Sequence, residues 1–337
     1  MDPHNIKVSV IMACHNSSAY LEEAVRSVLC QTLRDLELIL IDDCSTDATG
    51  DIARHFQAQD NRVSVLTLPA QSGAAAARNA GIQAARGSWL GILDSDDVAE
   101  PTRFEKQLDL AGRDKNLVAI GSSLISIDAK GSKINEHRYP TDHDNLVKRL
   151  YSMGAFLPHS SMIYRRDVIN VLEPFNPRYV RSEDYDLWLR LSVVGKFASI
   201  DKPLVKIRRH ERGISHSESG RRHIILANAG IICHFLRCQG FPDPSVLLDD
   251  VSWQCFVDWT ERRLNEEGVF DRRSAWEYAR SGFFSTESRP IGVFRFATRI
   301  LLSGHAGAAL VEKYTGSSVP KRLAQEWMER SSVILSR

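Results

Sequence analysis

Carboxylates stand at three places in this chain where they could do chemistry. In the first, GSWLGILDSDD (87–97), the apolar run 89–93 breaks off into Asp94, Ser95, Asp96 and Asp97. Such a run reads as a buried strand. Three carboxylates therefore leave its carboxyl end together, at the edge where an open parallel sheet binds ligands. Like charges so close repel, and a divalent cation best offsets them. In the second, LELILI (36–41) runs straight into Asp42 and Asp43. In the third, Glu183 and Asp184 precede the stretch YDLWLRLSVVG, a helix start that favours ionised carboxylates. The plainer reading of the first is an acidic turn capping the next helix, and of the third a carboxylate held only by the helix dipole.

The elements that must position these groups alternate regularly. Residues 7–12 (KVSVIM) predict a first strand, and Leu21, Ala24, Val25, Val28 and Leu29 share one helical stripe. After the strand 36–41, Ser45, Thr46 and Asp47 offer N-caps to a helix reaching about Ala58. A strand over 63–68 and an alanine-rich helix over 73–85, carrying Arg78 and Asn79, lead to the strand 89–93. Short connections between alternating elements predict an α/β fold, a doubly wound, mainly parallel, Rossmann-like sheet. Both acidic strand ends then share one edge. The loop after the first strand, ACHNSS, lacks the GxGxxG glycines, and no GxxxxGK[ST] occurs. A nucleotide here would be held by side chains and metal rather than by a glycine cradle.

Beyond Asp97 the spacing predicts a helix over 103–111, strands over 117–127 and 133–139, and a helix over 145–151. A strand over 159–164 (HSSMIY) and a helix over 166–172 follow. The helix after Asp184 turns Leu187, Leu191 and Val194 to one face and ends at Gly195. Strands over 197–200 and 204–207 run into Arg208, Arg209 and His210. From about residue 215 strands cease, and Pro242, Pro244, Pro290 and Pro320 punctuate a helical pattern. The expected domains are a sheet domain over 1–215 and a helical C-terminal domain over 216–337.

Composition narrows the class. With 337 residues, 43% hydrophobic and 25% charged, the chain is an ordinary globular protein with room for two domains. A net charge of +1 without a basic block argues against nucleic acid as a partner. Six cysteines without a CxxC pair read as reduced thiols. No signal peptide and no span of 18 apolar residues is evident, the nearest candidate being 300–311, so a cytoplasmic protein is expected. Arg289, Arg295 and Arg299, interspersed with Ile291, Val293, Phe294, Phe296 and Ile300, form a basic amphipathic pattern. It suits peripheral contact with the inner face of a membrane, or an ordinary packed helix with a solvated edge.

Six stretches in order, SVIMACHN, LELILIDDCSTD, SGAAAARNAGI, GSWLGILDSDD, SEDYDLWLRL and IRRH, resemble glycosyltransferase family 2 over roughly the first 210 residues. That family comprises inverting sugar transferases of GT-A fold. The resemblance implies a nucleotide diphosphate sugar as donor, a UDP-sugar in the first instance, and a glycan or lipid-linked acceptor in bacterial-type cell-surface glycan assembly. It implies donor contacts from Ala13, His15, Asn16, Asp42, Asp43, Arg78, Asp94 and Ser95. His15 stands where the family usually has tyrosine, and Cys44 where glycine is usual. A Mn²⁺ or Mg²⁺ cofactor falls to Asp96 as main ligand, with Asp97 and His210. Asp184 is implied as the catalytic base and Glu183 as its support. Arg208 or Arg209 could add charge at the leaving group, and His159, Ser160 and Ser161 could meet a sugar. The competing readings are a metal-dependent nucleotidyltransferase and a non-catalytic nucleotide-sugar binder.

Overall fold

The computed structural model describes residues 6–151, 156–210, 220–270 and 319–335. Nine strands form one sheet in the order β3-β2-β1-β4-β8-β6-β9-β5, with β7 paired to β6. They are β1 (Val8–Cys14), β2 (Leu36–Asp42), β3 (Val63–Thr67), β4 (Trp89–Ile92), β5 (Val98–Ala99), β6 (Leu117–Ile127), β7 (Lys133–His137), β8 (Ile163–Arg165) and β9 (Lys196–Arg208). β1 to β4, β6 and β9 run one way; β5, β7 and β8 run against them. The mainly parallel, doubly wound α/β reading therefore holds, and β1 to β4 form the first half of the sheet. Antiparallel β8 then joins it to the parallel pair β6 and β9.

Physical causes are local. β2 is buried at every position, as its largely apolar run requires when both faces are covered. The charge in mid-strand, Glu37, is bonded to Ser9 Oγ and to Arg86 Nε and Nη2. Helix α1 (Leu21–Leu29) buries Leu21, Ala24, Val25 and Val28, the stripe read from the sequence. Helix α2 covers Thr49–Gln59 and α3 covers Ala74–Ala84. On α3 an added Cβ at Gly81 would sit 2.7 Å from Ile41 Cδ1 and 2.8 Å from Ile11 Cγ2. That close approach explains a helix made largely of alanine and glycine. Asp47 does not cap α2 in the usual place. The N-cap residue is Ala48, and Asp47 accepts the Thr49 N–H and hydroxyl from one residue further out.

In the second half, α4 (Arg103–Ala111), α5 (His143–Tyr151), α6 (Arg166–Leu172) and α7 (Glu183–Leu191) surround β6 to β9. Three local expectations need correction. The strand expected over 159–164 is a 3₁₀ turn, His159–Ser161, before the short β8, because Ser161 Oγ bonds back to Pro158 O. The two strands expected over 197–207 are one, β9. Its register against β6 shifts between Ile200 and Pro203, so the exposed Asp201 and Lys202 bulge out and mimic a break. Helix α7 ends at Leu191 rather than at Gly195. An added Cβ at Gly195 would lie 2.2 Å from Val118 Cγ1, so that glycine serves close packing, not capping.

Two compact units emerge. One holds the described residues up to Leu150 and those from 156 to His223; the other holds Tyr151 and those from Ile224 onward. The second is described by α8 (Gly220–Cys238), α9 (Pro244–Leu247), α10 (Asp250–Glu266) and α11 (Val319–Leu335). Its α10 and α11 meet through Trp253, Phe256, Trp259 and Trp327, with Phe256 and Trp327 centroids 4.8 Å apart. The boundary placed at 215 and the basic amphipathic residues 289–300 lie outside the described residues, as does the apolar run 300–311. Among the described residues no helix is long and apolar enough to cross a membrane.

Candidate active site

Because β1, β2 and β4 are parallel neighbours, their carboxyl ends and following loops share one edge. Ala13 lies half-buried near the end of β1, paired with Ile41. The loop beyond it turns at Asn16, with φ 50°, and the loop after β2 turns at Cys44, with φ 58°. A left-handed residue at 44 explains why glycine suits that position, and cysteine occupies it at a strain cost. Asn16 Oδ1 accepts the Thr46 N–H and hydroxyl, and Asn16 N–H donates to Ser45 Oγ, so the two loops are tied together. Asp42 Oδ1 accepts the Ser45 N–H. Asp43 is buried, and its two oxygens accept the Ser72 and Gly73 N–H groups at 2.7 and 2.8 Å. His15 Nδ1 donates to Asp43 O at 2.8 Å. On the ring's other side, Nε2 lies 3.3 Å from the Asn16 amide nitrogen and 3.2 Å from that of Gln71.

The turn after β4 differs in kind. Asp94 and Asp96 reach solvent, with side chains 39% and 30% exposed, whereas Ser95 and Asp97 are buried. Ser95 Oγ bonds Ser17 Oγ at 2.7 Å. Asp96 Oδ2 lies 2.9 Å from His210 Nε2, and the His210 ring leans on Tyr20 with centroids 4.9 Å apart. Burial, then the nearby Asp94 charge, raises the Asp96 pKa, against the pull of His210. For Asp97 burial, then Asp96 and Asp94, pushes the pKa well up. Its Oδ1 accepts the Arg208 N–H at 2.9 Å.

Arg208 is not free to meet a leaving group. Its buried guanidinium donates to the carbonyls of Asp96, Asp128 and Ala129 and pairs with Glu23. It also lies 4.7 Å from the Tyr20 ring centroid. Arg208 thus holds the turn's backbone from below. Asp97 is likewise engaged within the fold, through the Arg208 N–H. Among the described residues no three His, Cys, Asp or Glu side chains gather into a metal-holding group.

Arg78 is engaged by carboxylates of the fold as well. It sits on the inward face of α3 with Ala75 and Ile82, where a lone charge would be costly. Its Nη2 donates to Asp94 Oδ1 at 2.9 Å and its Nη1 to Glu183 Oε1 at 2.7 Å. The Phe175 ring centroid lies 5.8 Å away. Asn79, next along, holds Phe175 by donating to its carbonyl and accepting its N–H. Burial works against the Arg78 charge, but Asp94 and Glu183 outweigh it and raise its pKa. Partial desolvation works to raise the Asp94 pKa, but its neighbours, Arg78 first among them, outweigh it and lower the value.

Glu183 is the first residue of α7, and its second oxygen, Oε2, is buried with no hydrogen-bond partner among the described residues. Asp184 Oδ1 accepts the Tyr185 N–H at 2.8 Å. The sequence reading expected the helix start to keep Asp184 ionised. Instead burial, then the neighbouring Glu183 charge, raises its pKa to about 7, against Arg78. Desolvation here exceeds the dipole.

One buried cation was not read from the sequence. Arg103 is fully buried and donates to the carbonyls of Ile92 and Met162 and to Gln107 Oε1, and burial lowers its pKa to about 9. The available signal was an arginine one turn before Gln107 on the face that carries Phe104. Ser160 accepts the Asp94 N–H. His159 lies beside Phe175, Tyr164 and Trp188, with Nε2 unpartnered among the described residues, and burial lowers its pKa to about 3.

Comparison with known proteins adds to this geometry. Residues 9–172 match the profile described as Glycosyl transferase family 2. The chain is 34% identical over 187 residues to the O-antigen biosynthesis glycosyltransferase WbnJ of Escherichia coli, covering 55% of this chain and 71% of that one. It is 30% identical over 226 residues to the glycosyltransferase GlyG of Streptococcus pneumoniae, 63% and 73% of the two chains. Against the chondroitin synthase of Escherichia coli it is 33% identical over 196 residues, 58% of this chain but 28% of the synthase. Among solved structures, S. aureus TarS 1–349 in complex with UDP-GlcNAc superposes with a TM-score of 0.59 at 17% identity, covering 96% and 92%. That likeness shows a shared fold.

Proposed function

The chain belongs to glycosyltransferase family 2, and from that premise we propose that it moves a sugar from a UDP-sugar, with inversion, to an acceptor hydroxyl. The observation that carries this reading is one polar network in which Arg78 bridges the Asp94 turn and the helix start bearing Asp184. An inverting transfer needs a leaving-group site and a base held in fixed relation. The TarS structure holding UDP-GlcNAc supports a uridine nucleotide donor. The O-antigen and chondroitin relatives support assembly of a cell-surface glycan.

In this reading His15, Asn16 and the Asp42–Asp43 loop take the nucleoside. Asp43 and His15 hold that loop through the bonds described above, and the Asp43 oxygens retain lone pairs for a base N–H. Asp96 and His210 present an oxygen and a nitrogen 2.9 Å apart, a donor pair that suits Mn²⁺ or Mg²⁺ with the remaining positions left to diphosphate oxygens and water. When bound, the cation offsets the charge that grows on the leaving diphosphate. Asp184 takes the proton of the acceptor hydroxyl. The acceptor oxygen bonds the anomeric carbon as the bond to the nucleoside diphosphate breaks on the opposite face. A carboxyl with a pKa of about 7 is matched to that proton transfer near neutral pH.

The test is a thermal-shift panel of nucleotide sugars with and without Mn²⁺, followed by product analysis with the stabilising donor. Release of UDP with sugar transfer or hydrolysis is expected. Release of pyrophosphate would turn the reading to nucleotidyl transfer. Tight binding without turnover would turn it to a nucleotide-sugar binder.

A further inference from the structure

We infer that Arg78 is a positioning residue, a buried bridge that locks the Asp94 turn to the Glu183–Asp184 helix start, and not a ligand of the donor diphosphate. The inference rests on the transferase reading for its kinetic consequence and on the structure alone for the bridge.

Several observations converge. Arg78 stands on the inward stripe of α3, and its side chain is only 9% exposed. Two separate ends of the guanidinium are engaged, one by Asp94 and one by Glu183, 16 and 105 residues away in sequence. The Glu183 side chain is itself 8% exposed. A buried carboxylate whose second oxygen finds no partner among the described residues leans on the cation that the first one meets. The fork geometry matters, since a guanidinium can bridge two acceptors that a compact ammonium cannot hold together. The surrounding chain is built to keep the guanidinium still. Phe175 lies against it, and Asn79 clamps the Phe175 backbone at both its N–H and its carbonyl. Arg190 in turn holds that loop by donating to the carbonyls of Leu172, Glu173 and Pro174 while paired with Asp186. Arg78 therefore connects the two halves of the site by a rigid path. Asp94 follows β4, and Glu183 opens the helix that carries the base.

Three variants test this on the full chain. Calorimetry with UDP and MnCl₂ reads donor affinity; turnover of the donor found above reads kcat; melting temperature reads the bridge. Arg78→Lys is expected to bind UDP within about threefold of wild type while kcat falls by about 10²-fold, as a misplacement of about 1 Å can cause. Arg78→Gln should melt well below wild type. Adding Glu183→Gln removes the stranded carboxylate, so the double variant should melt above Arg78→Gln and keep UDP affinity. A loss of UDP affinity of about tenfold or more in Arg78→Lys and in the double variant, with kcat retained at saturation, would mean a diphosphate ligand and overturn the proposal. A double variant that melts no higher than Arg78→Gln would overturn it as well. The melting comparison needs neither nucleotide nor turnover. Failure of the transferase reading is seen instead in wild type, as absent UDP release.

Discussion

Two strands of this sheet end in aspartates on the same edge, yet the two acidic ends are physically unlike. After β2, Asp42 and Asp43 are surrounded by backbone donors: Ser45 N–H for the first, Ser72 and Gly73 N–H for the second. After β4, three carboxylates crowd together, and burial with mutual repulsion raises the pKa of Asp96 and Asp97. The first end is satisfied by the protein itself and shapes two loops. The second holds charge the protein only partly offsets, through Arg78, His210 and the Arg208 N–H. The difference teaches where a cation belongs. Hydrogen-bonded acids recognise, and crowded acids wait for a counter-charge.

The largest effect that would sharpen this contrast is at the crowded end. Asp96→Asn should abolish turnover, a loss of several kcal/mol of transition-state stabilisation or roughly 10³-fold and more, while the protein stays folded. Full activity of that variant in EDTA would break the comparison. Next in size is the base. Asp184→Asn should lower kcat by about 10²–10⁴-fold and leave donor affinity nearly intact. In wild type the rate should fall as pH drops through about 7, because only the ionised Asp184 accepts a proton. A flat profile between pH 6 and 8, both limits chosen to straddle that value, would remove the assignment. At the satisfied end Asp43→Asn should show the opposite emphasis. One of its two N–H partners loses its acceptor, a cost of about 1–3 kcal/mol in stability. Calorimetry should then find weaker donor binding with kcat largely kept.

The sequence carried the part of this site that depends on strand ends. Largely apolar runs such as LELILID placed Asp42 and Asp94 at one edge, because parallel neighbours must finish together. It also carried Glu183 and Asp184 at a helix start. It did not carry partners distant along the chain. Nothing in SGAAAARNAGI says that Arg78 meets Glu183, 105 residues on, nor that Arg208 turns beneath Asp96 and Asp97 rather than toward a ligand. A motif records residue types, whereas direction of a long side chain follows from which neighbours bury it. The protonation of Asp184 failed for the same reason. The helix start is a local signal and favours the charged form, but burial and Glu183 come from packing and prevail. The antiparallel entry of β8 was hidden too, since a strand of three residues after a 3₁₀ turn leaves no periodicity to read.

The smallest effect is also the most direct probe of crowding, because it needs no substrate. A carboxyl whose pKa is higher in the folded chain than in the unfolded one, about 3.9 for aspartate, holds its proton more tightly when folded. It therefore contributes stability that is fully present below that unfolded value and is lost as pH rises through the folded one. Asp184 has its folded value at about 7, and Asp96 and Asp97 are shifted in the same direction. Metal-free wild type should consequently lose melting temperature between pH 5 and pH 8, limits that bracket the Asp184 value. Asp184→Asn, permanently neutral, should lose less over the same interval, with the remaining slope due to the β4 turn. Adding MnCl₂ should flatten that remainder, since a cation at Asp96 favours the ionised carboxylate. If Asp184→Asn followed the wild-type curve throughout, Asp184 would not be desolvated as the structure shows. The base would then have to be sought at Glu183, whose Oε2 has no hydrogen-bond partner among the described residues.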